Sequence, residues 1–143
     1  MGDRPMHEKY VLIATALAEA GTGLLLVVWP PVLLALLLGV DQASSETTTC
    51  ARVAGAALLA IGVACWIGRS DTHGSAQLGL LIGVFIYDVA AAVILAYTGL
   101  FVNLVGIALW PAVVLHAALA IWCFVIIWGK RRGSGFGSFL SRV

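Results

Sequence analysis

Four apolar stretches divide the chain, and each is long enough to cross a lipid bilayer as a helix. They cover about residues 10–29, 51–68, 76–97 and 105–128. A helix needs about 20 mostly apolar residues to cross roughly 30 Å of hydrocarbon. Because the connecting segments are short, the pattern predicts one all-α domain over residues 1–143, in the form of a bundle of four transmembrane helices.

The composition excludes several classes of protein. Of the 143 residues, 62% are hydrophobic and only 10% are charged, whereas a soluble domain is about 25% charged. We therefore expect an integral membrane protein, with the lipid bilayer as its first partner. A soluble enzyme domain and a nucleic-acid-binding module are both excluded.

Two prolines follow Trp29 and are expected to end the first span. Apolar residues continue to Gly39, but a straight helix from Tyr10 to Gly39 would be about 45 Å long, which exceeds one span. Proline interrupts a helix and suits the first turn of a new one. We therefore predict a short interfacial helix over Val32–Leu38. A single long span that is tilted and kinked is the alternative.

Basic residues are concentrated on one side of the predicted bundle. Of the eight Lys and Arg residues, seven lie on the side of the two termini, and only Arg52 lies on the other. Because Lys and Arg mark the cytoplasmic side, we predict a multi-pass protein of the bacterial inner membrane with both termini cytoplasmic. A flexible tail over residues 133–143 is expected on that side. Cleavage of a signal peptide near Ala20 is the alternative.

Ionisable residues occur within or at the ends of all four spans, as Glu19, Arg52, Asp88 and His116. An Asp or Arg at the centre of a span costs at least about 2.5–3.5 kcal/mol, so each is expected to face protein or water. At about 1.5 Å per residue, Glu19, Asp88 and His116 lie at similar depth, with Arg52 nearer the outside. The sequence therefore predicts an intramembrane polar layer, which is a candidate site for a proton or a ligand.

Four further residues are assigned from their positions beside this layer or on its helices. Thr22 lies on the same helical face as Glu19, and Tyr87 precedes Asp88, so both are included in the polar layer. Gly79 and Gly83 form a G-x-x-x-G pattern, which lets a second membrane helix approach closely. We therefore predict self-association, or contact with other membrane subunits, through these two glycines.

No motif indicates a cofactor or a catalytic apparatus. Cys50, Cys65 and Cys123 form no C-x-x-C pair, and no two histidines have metal-ligand spacing. We therefore expect no catalytic residue and no metal, and packing roles for the cysteines. A lipid or a quinone is the small molecule that suits the layer. Haem is disfavoured, because His116 is the only candidate axial ligand within the spans.

Three segments resemble known membrane proteins. The segments Ala51–Trp66 and Trp110–Ala117 resemble a group of small, uncharacterised bacterial four-span proteins, and the layout is similar to that of DoxX-like four-helix membrane proteins. This resemblance covers most of the chain and implies the fold, but its motifs are packing motifs that imply no activity. Leu17–Thr22 resembles the Glu-bearing first span of small multidrug-resistance transporters. Span lengths differ from that family, and Asp88 and His116 have no counterpart in it.

Three functions are compatible with these features. The preferred function is an accessory, interaction or ligand-holding subunit of a membrane complex, in which the polar layer joins the helices or holds a ligand. The alternative is a small proton-coupled transporter or channel that uses Glu19, Asp88 and His116. The third is a redox or lipid-modifying enzyme that uses His116 or Cys123. Because no catalytic motif supports the third function, the sequence favours a protein that is not an enzyme.

Overall fold

The computed structural model describes residues 4–70 and 75–140, and the side chains within 7–70 and 76–130. This described part of the chain is helical and contains no strand. Its elements are α1 (Arg4–Val28), α2 (Pro30–Leu38), α3 (Ser45–Gly68), α4 (Ser75–Tyr97), a π-helical turn (Thr98–Val102) and α5 (Leu109–Leu140). Helices α1, α3, α4 and α5 are long and apolar enough to cross a membrane, as predicted. Their insertion into a membrane stays a prediction.

A break separates α1 from α2 at the double proline. Trp29 has φ −140° and ψ 64°, which is not helical, and Pro30 is the first residue of α2. Proline fits there because its missing N–H is not needed in the first turn of a helix. A short separate helix is therefore confirmed, and the single long helix is excluded. Its position at a membrane interface stays a prediction.

The helix starts differ from those of the predicted spans, and at α3 a local cap accounts for the difference. Helix α1 begins at Arg4, before the predicted residue 10. Helix α3 begins at Ser45, before the predicted residue 51, because the Ser44 side chain accepts a hydrogen bond from the Thr47 amide at 3.2 Å, which is an N-cap. Helix α5 begins at Leu109, after the predicted residue 105.

The end of α5 also extends beyond expectation. The helix continues to Leu140 and includes most of the predicted tail, residues 133–143. Residues 141–143 lie outside the described residues, as do residues 71–74 of the connection between α3 and α4. The flexibility of the tail stays a prediction.

The four long helices form two close pairs, α1 with α3 and α4 with α5. Glycines bring α1 and α3 together. A Cβ atom at Gly23 would lie 2.6 Å from the Gly55 carbonyl oxygen, and one at Gly62 would lie 2.9 Å from the Ala20 amide nitrogen. The two pairs contact each other much less, which leaves room between them.

The two glycines of α4 that were predicted to mediate close helix contact make no such contact with the described residues. Gly79 and Gly83 are exposed, and no described atom outside their own helix lies within 4 Å of a Cβ atom built at either position. The close helix packing within the chain therefore uses Gly23, Gly55 and Gly62 instead. The surface at Gly79 and Gly83 remains available to another chain, and contact through it stays a prediction.

Helix α2 closes one end of the bundle by docking on the segment between α4 and α5. The amide of Gly106 donates to the Leu37 carbonyl at 3.0 Å, and the amide of Ala108 donates to the Leu36 carbonyl at 2.8 Å. These bonds satisfy carbonyl groups that the end of a helix leaves without partners. We call this end of the bundle the α2 end, and the opposite end, where α1 begins, the terminal end.

Candidate functional site

Three of the predicted polar residues meet inside the bundle. Glu19 lies on α1, Asp88 on α4 and His116 on α5, and one donor atom from each lies within 4.8 Å of the others. The residues Glu19 and Asp88 are only 1% and 0% exposed, and the His116 side chain is 13% exposed. The predicted meeting of these three groups is therefore present. We call them the polar triad.

The hydrogen bonding of the triad is incomplete. The His116 Nδ1 atom donates to Asp88 Oδ1 at 2.8 Å, and Glu19 Oε1 lies 4.0 Å from the same nitrogen. Glu19 Oε1 and Asp88 Oδ2 are buried without a hydrogen-bond partner among the described residues. Buried polar atoms in proteins almost always have a partner. The triad therefore presents two acceptor atoms that are free to bind another group.

Tyr87 and Thr22 complete the surroundings of the triad. The Tyr87 ring packs edge-on against the His116 ring, with a centroid distance of 5.6 Å and an interplanar angle of 82°. The Tyr87 hydroxyl also interacts with the Glu19 carboxyl group. Thr22 is half-buried and lines the same space as Glu19. Both predicted members of the polar layer therefore lie at the site.

Arg52 does not join the triad. The buried face of α3 includes Ala51, Gly55, Leu58 and Gly62, and Arg52 points about 100° away from Ala51 around the helix. Its side chain is exposed and makes no hydrogen bond or ion pair with the described residues. The expected placement of Arg52 in the polar layer therefore differs from the structure, because the small residues of α3 occupy the inward face.

A cavity of about 460 Å³ adjoins the triad and extends towards the α2 end. Glu19, Tyr87 and His116 form its polar wall. The remaining walls are mainly aliphatic and come from all five helices; they include Leu26, Leu33, Leu37, Leu58, Ala91 and Leu115. Pockets of about 300–1,000 Å³ that combine apolar walls with a few polar groups are typical of small-molecule sites.

Sequence reasoning missed a second polar cluster near the terminal end. The Lys130 Nζ atom forms an ion pair with Glu8 Oε2 at 2.8 Å and donates a hydrogen bond to Gln77 Oε1 at 3.2 Å. We call these residues the terminal cluster. The signal was present in the spacing: Glu8 precedes Glu19 by 11 residues, and Gln77 precedes Asp88 by 11. Eleven residues return a helix to nearly the same face.

Apolar side chains separate the two polar clusters. The core between them contains Leu12, Leu81, Val84 and Leu119, which are at most 4% exposed. The free thiols of Cys65 and Cys123 belong to this core, which agrees with a packing role. An apolar core therefore lies between the two clusters. The α2 half contains the cavity beside the triad, and a smaller pocket of about 330 Å³, lined by residues that include Glu8 and Lys130, lies beside the terminal cluster.

Comparison with known protein families, curated proteins and solved structures gives no match to this chain. The geometry of the site must therefore support the functional proposal by itself. Carboxylates and an imidazole beside an apolar cavity can bind the polar group of an amphipathic molecule, exchange a proton or ligate a metal ion.

Proposed function

We propose that the protein is a small multi-pass protein of the bacterial inner membrane that holds an amphipathic ligand, as a subunit of a larger membrane complex. The cavity with its polar triad is the observation on which this proposal depends. A lipid or a quinol fits the chemistry: its apolar part would lie against the aliphatic walls, and its polar head would meet the triad.

Support for membrane insertion comes from the outer surface of the bundle. Large apolar side chains in the middle of the long helices are exposed there, such as Leu17 (66%), Val93 (63%) and Ile121 (65%). Soluble monomers rarely expose continuous apolar surfaces of this kind. Lipid chains would cover this surface, and the seven basic residues that the sequence assigns to the side of the two termini would place that side in the cytoplasm.

The orientation can be tested with the native cysteines. Cys50 is exposed near the α2 end, whereas Cys65 and Cys123 are buried. A membrane-impermeant maleimide is expected to label Cys50 in intact cells. In a Cys50→Ser background, Ser70→Cys at the terminal end should be labelled only after the cells are opened. Labelling of Ser70→Cys in intact cells would contradict the cytoplasmic placement.

The polar head of the ligand should supply hydrogen-bond donors. Glu19 Oε1 is an unpartnered acceptor on a residue that lines the cavity, and a hydroxyl or amine of the ligand would satisfy it. Leaving buried acceptors unpaired costs about 1–3 kcal/mol each, so a donor-bearing head would be preferred over an acceptor-only head. A quinol or a lipid with a free hydroxyl therefore fits better than a quinone.

The ligand can be identified by mass spectrometry of molecules that co-purify with the protein in a mild detergent. Ala91 lines the cavity, and its neighbour Ala90 is exposed. We expect Ala91→Phe to fill the cavity and to lose most of the bound molecule, while the matched control Ala90→Phe keeps it. Equal retention by the two variants, or no enriched molecule in the native protein, would contradict ligand holding.

Proton-coupled transport is the second candidate, favoured by two carboxyl groups and an imidazole that share one buried site. Such a transporter needs the triad to reach water on both sides in turn. The filled core around Leu81 and Leu119 lies between the triad and the terminal end, which favours ligand holding. Flux driven by a pH gradient in proteoliposomes, abolished by Glu19→Gln with the fold retained, would favour transport instead.

A further inference from the structure

We infer that Glu19, Asp88 and His116 form a binding site for one divalent transition-metal ion. The inference goes beyond the proposed ligand and does not depend on it, since the donors and their unpartnered atoms belong to the protein. It also replaces the sequence-based expectation of no metal, which depended on spacing along single helices.

The donor types and distances suit such an ion. Two carboxylates and an imidazole are common ligands of Zn²⁺ and of related ions. Bonds of about 2.0–2.2 Å in a tetrahedral site place the donor atoms about 3.3 Å apart. The separations of 2.8 Å and 4.0 Å from His116 Nδ1 to Asp88 Oδ1 and Glu19 Oε1 bracket that value. An ion would take the place of the proton between His116 and Asp88.

The unpartnered oxygens give independent support. Glu19 and Asp88 are buried at 1% and 0% exposure, and each has one carboxyl oxygen without a hydrogen-bond partner among the described residues. A polar atom buried without a partner is costly. Coordination through Glu19 Oε1 would remove this cost at Glu19, and coordination by both oxygens of Asp88 would remove it at Oδ2.

Charge balance favours a divalent ion over a monovalent one. Two ionised carboxyl groups beside a neutral imidazole carry two negative charges, and a divalent ion makes the buried complex neutral. No Lys or Arg of the described residues contacts the triad: Lys130 pairs with Glu8, and Arg52 is exposed. Because buried charge is expensive in a low-dielectric interior, this neutrality stabilises the occupied site.

The imidazole and the cavity further restrict the ion and its coordination. Mg²⁺ and Ca²⁺ prefer oxygen-only ligand sets, so His116 favours Zn²⁺, Co²⁺ or a similar transition ion. Three protein ligands leave a fourth tetrahedral position. His116 and Glu19 both line the cavity, so that this position would face it and accept water or the head of a bound molecule.

The test uses Co²⁺ and Zn²⁺ as probes with untagged, chelator-stripped protein in detergent micelles. We expect one Co²⁺ per chain, visible absorption bands typical of four-coordinate Co²⁺, and displacement by Zn²⁺ but not by excess Mg²⁺. No binding by the native protein, or binding displaced equally by Mg²⁺, would overturn the inference. Because no membrane ligand is added, the result is separate from the fate of the proposed function.

Two matched pairs of variants locate the ion. Glu19→Gln and His116→Gln are expected to lower Co²⁺ affinity by at least about tenfold, as the loss of a metal-site contact does. Glu8→Gln and His7→Gln, near the terminal end, should leave it unchanged. The folded state of each variant is checked by its helical circular dichroism. Zn²⁺ should raise the melting temperature of both control variants and of neither triad variant. Equal affinity losses in the two sets would overturn the assignment.

Discussion

The polar triad and the terminal cluster lie on the same three helices, and their polar atoms are satisfied to different degrees. In the terminal cluster, Lys130 pairs with Glu8 at 2.8 Å and with Gln77 at 3.2 Å. In the triad, Glu19 and Asp88 each keep an unpartnered oxygen. Each cluster joins the two helix pairs, because each draws on α1, α4 and α5.

The spaces beside the two clusters also differ. The pocket beside the terminal cluster has about 330 Å³ and lies between α1 and α5, where Glu8 and Lys130 pair with each other. Beside the triad, all five helices line a partly open cavity of about 460 Å³, and an apolar core lies between the two clusters. On this account, buried polar residues of the bundle have two roles: the terminal cluster is a structural contact, and the triad is the proposed site. Satisfied hydrogen bonds distinguish the first role from the second.

Truncation of a leucine should cost most in the apolar core between the two clusters. Leu81 is 0% exposed in the core, and Leu81→Ala should lower the free energy of unfolding by about 2–5 kcal/mol, because a new cavity remains. Leu95 lines the existing cavity, and Leu95→Ala should cost under about 1.5 kcal/mol, since few packed neighbours are lost. Unfolding in detergent, followed by circular dichroism, measures both. Similar losses would show that the core and the cavity wall are equally packed.

Loss of Lys130 should have an intermediate effect. Lys130→Met leaves the buried Glu8 carboxyl without its partner, and we expect the free energy of unfolding to fall by about 1–3 kcal/mol. Lys9→Met is the matched control, because Lys9 lies exposed on α1 and should change stability by less than about 0.5 kcal/mol. The double variant Glu8→Gln with Lys130→Met should recover part of the loss. A loss of unfolding free energy no larger than that of the control would contradict a structural role for the terminal cluster.

The smallest effect is expected at Thr15, which lies between the two clusters on α1. Its hydroxyl is buried without a partner among the described residues. Thr15→Val should therefore change the free energy of unfolding by less than about 1 kcal/mol, in the stabilising direction. Thr15→Ala, whose side chain has two methyl groups fewer than that of Thr15→Val, should be about 1.6 kcal/mol less stable than Thr15→Val. A large loss in Thr15→Val would indicate that this hydroxyl has a partner, such as water on a proton path.

Much of the fold follows from apolar length and from proline. The four long helices come from stretches that only a membrane span or a buried helix can accommodate. The break at Trp29 comes from Pro30, which cannot continue the hydrogen bonding of α1. Helix ends were less predictable. The Ser44 cap extends α3 through polar residues that hydropathy excludes from a span.

The depth of the site residues could be predicted from the sequence, but the direction in which their side chains point could be predicted only in part. Counting residues from the span ends placed Glu19, Asp88 and His116 at one depth. The cost of exposing an ionisable side chain to lipid predicted that they face inward. The same reasoning could not show that Arg52 is exposed, because the inward face of α3 is decided by its packing on α1 through Gly55. Lys130 was counted only among the seven basic residues on the side of the termini, since periodicity along one helix does not reveal Glu8 as a partner on another.

The most direct test exchanges one carboxyl group for an amide in each cluster and measures both stability and the co-purified ligand. Glu19→Gln should lose most of the ligand and change the free energy of unfolding by less than about 1 kcal/mol, because Oε1 has no hydrogen-bond partner to lose and the amide of similar shape can keep the contact with Tyr87. Glu8→Gln should keep the ligand and lose about 1–3 kcal/mol, because its charged partner Lys130 is left unpaired. If both variants lose stability alike and keep the ligand alike, the triad is a structural contact and the proposed site is wrong.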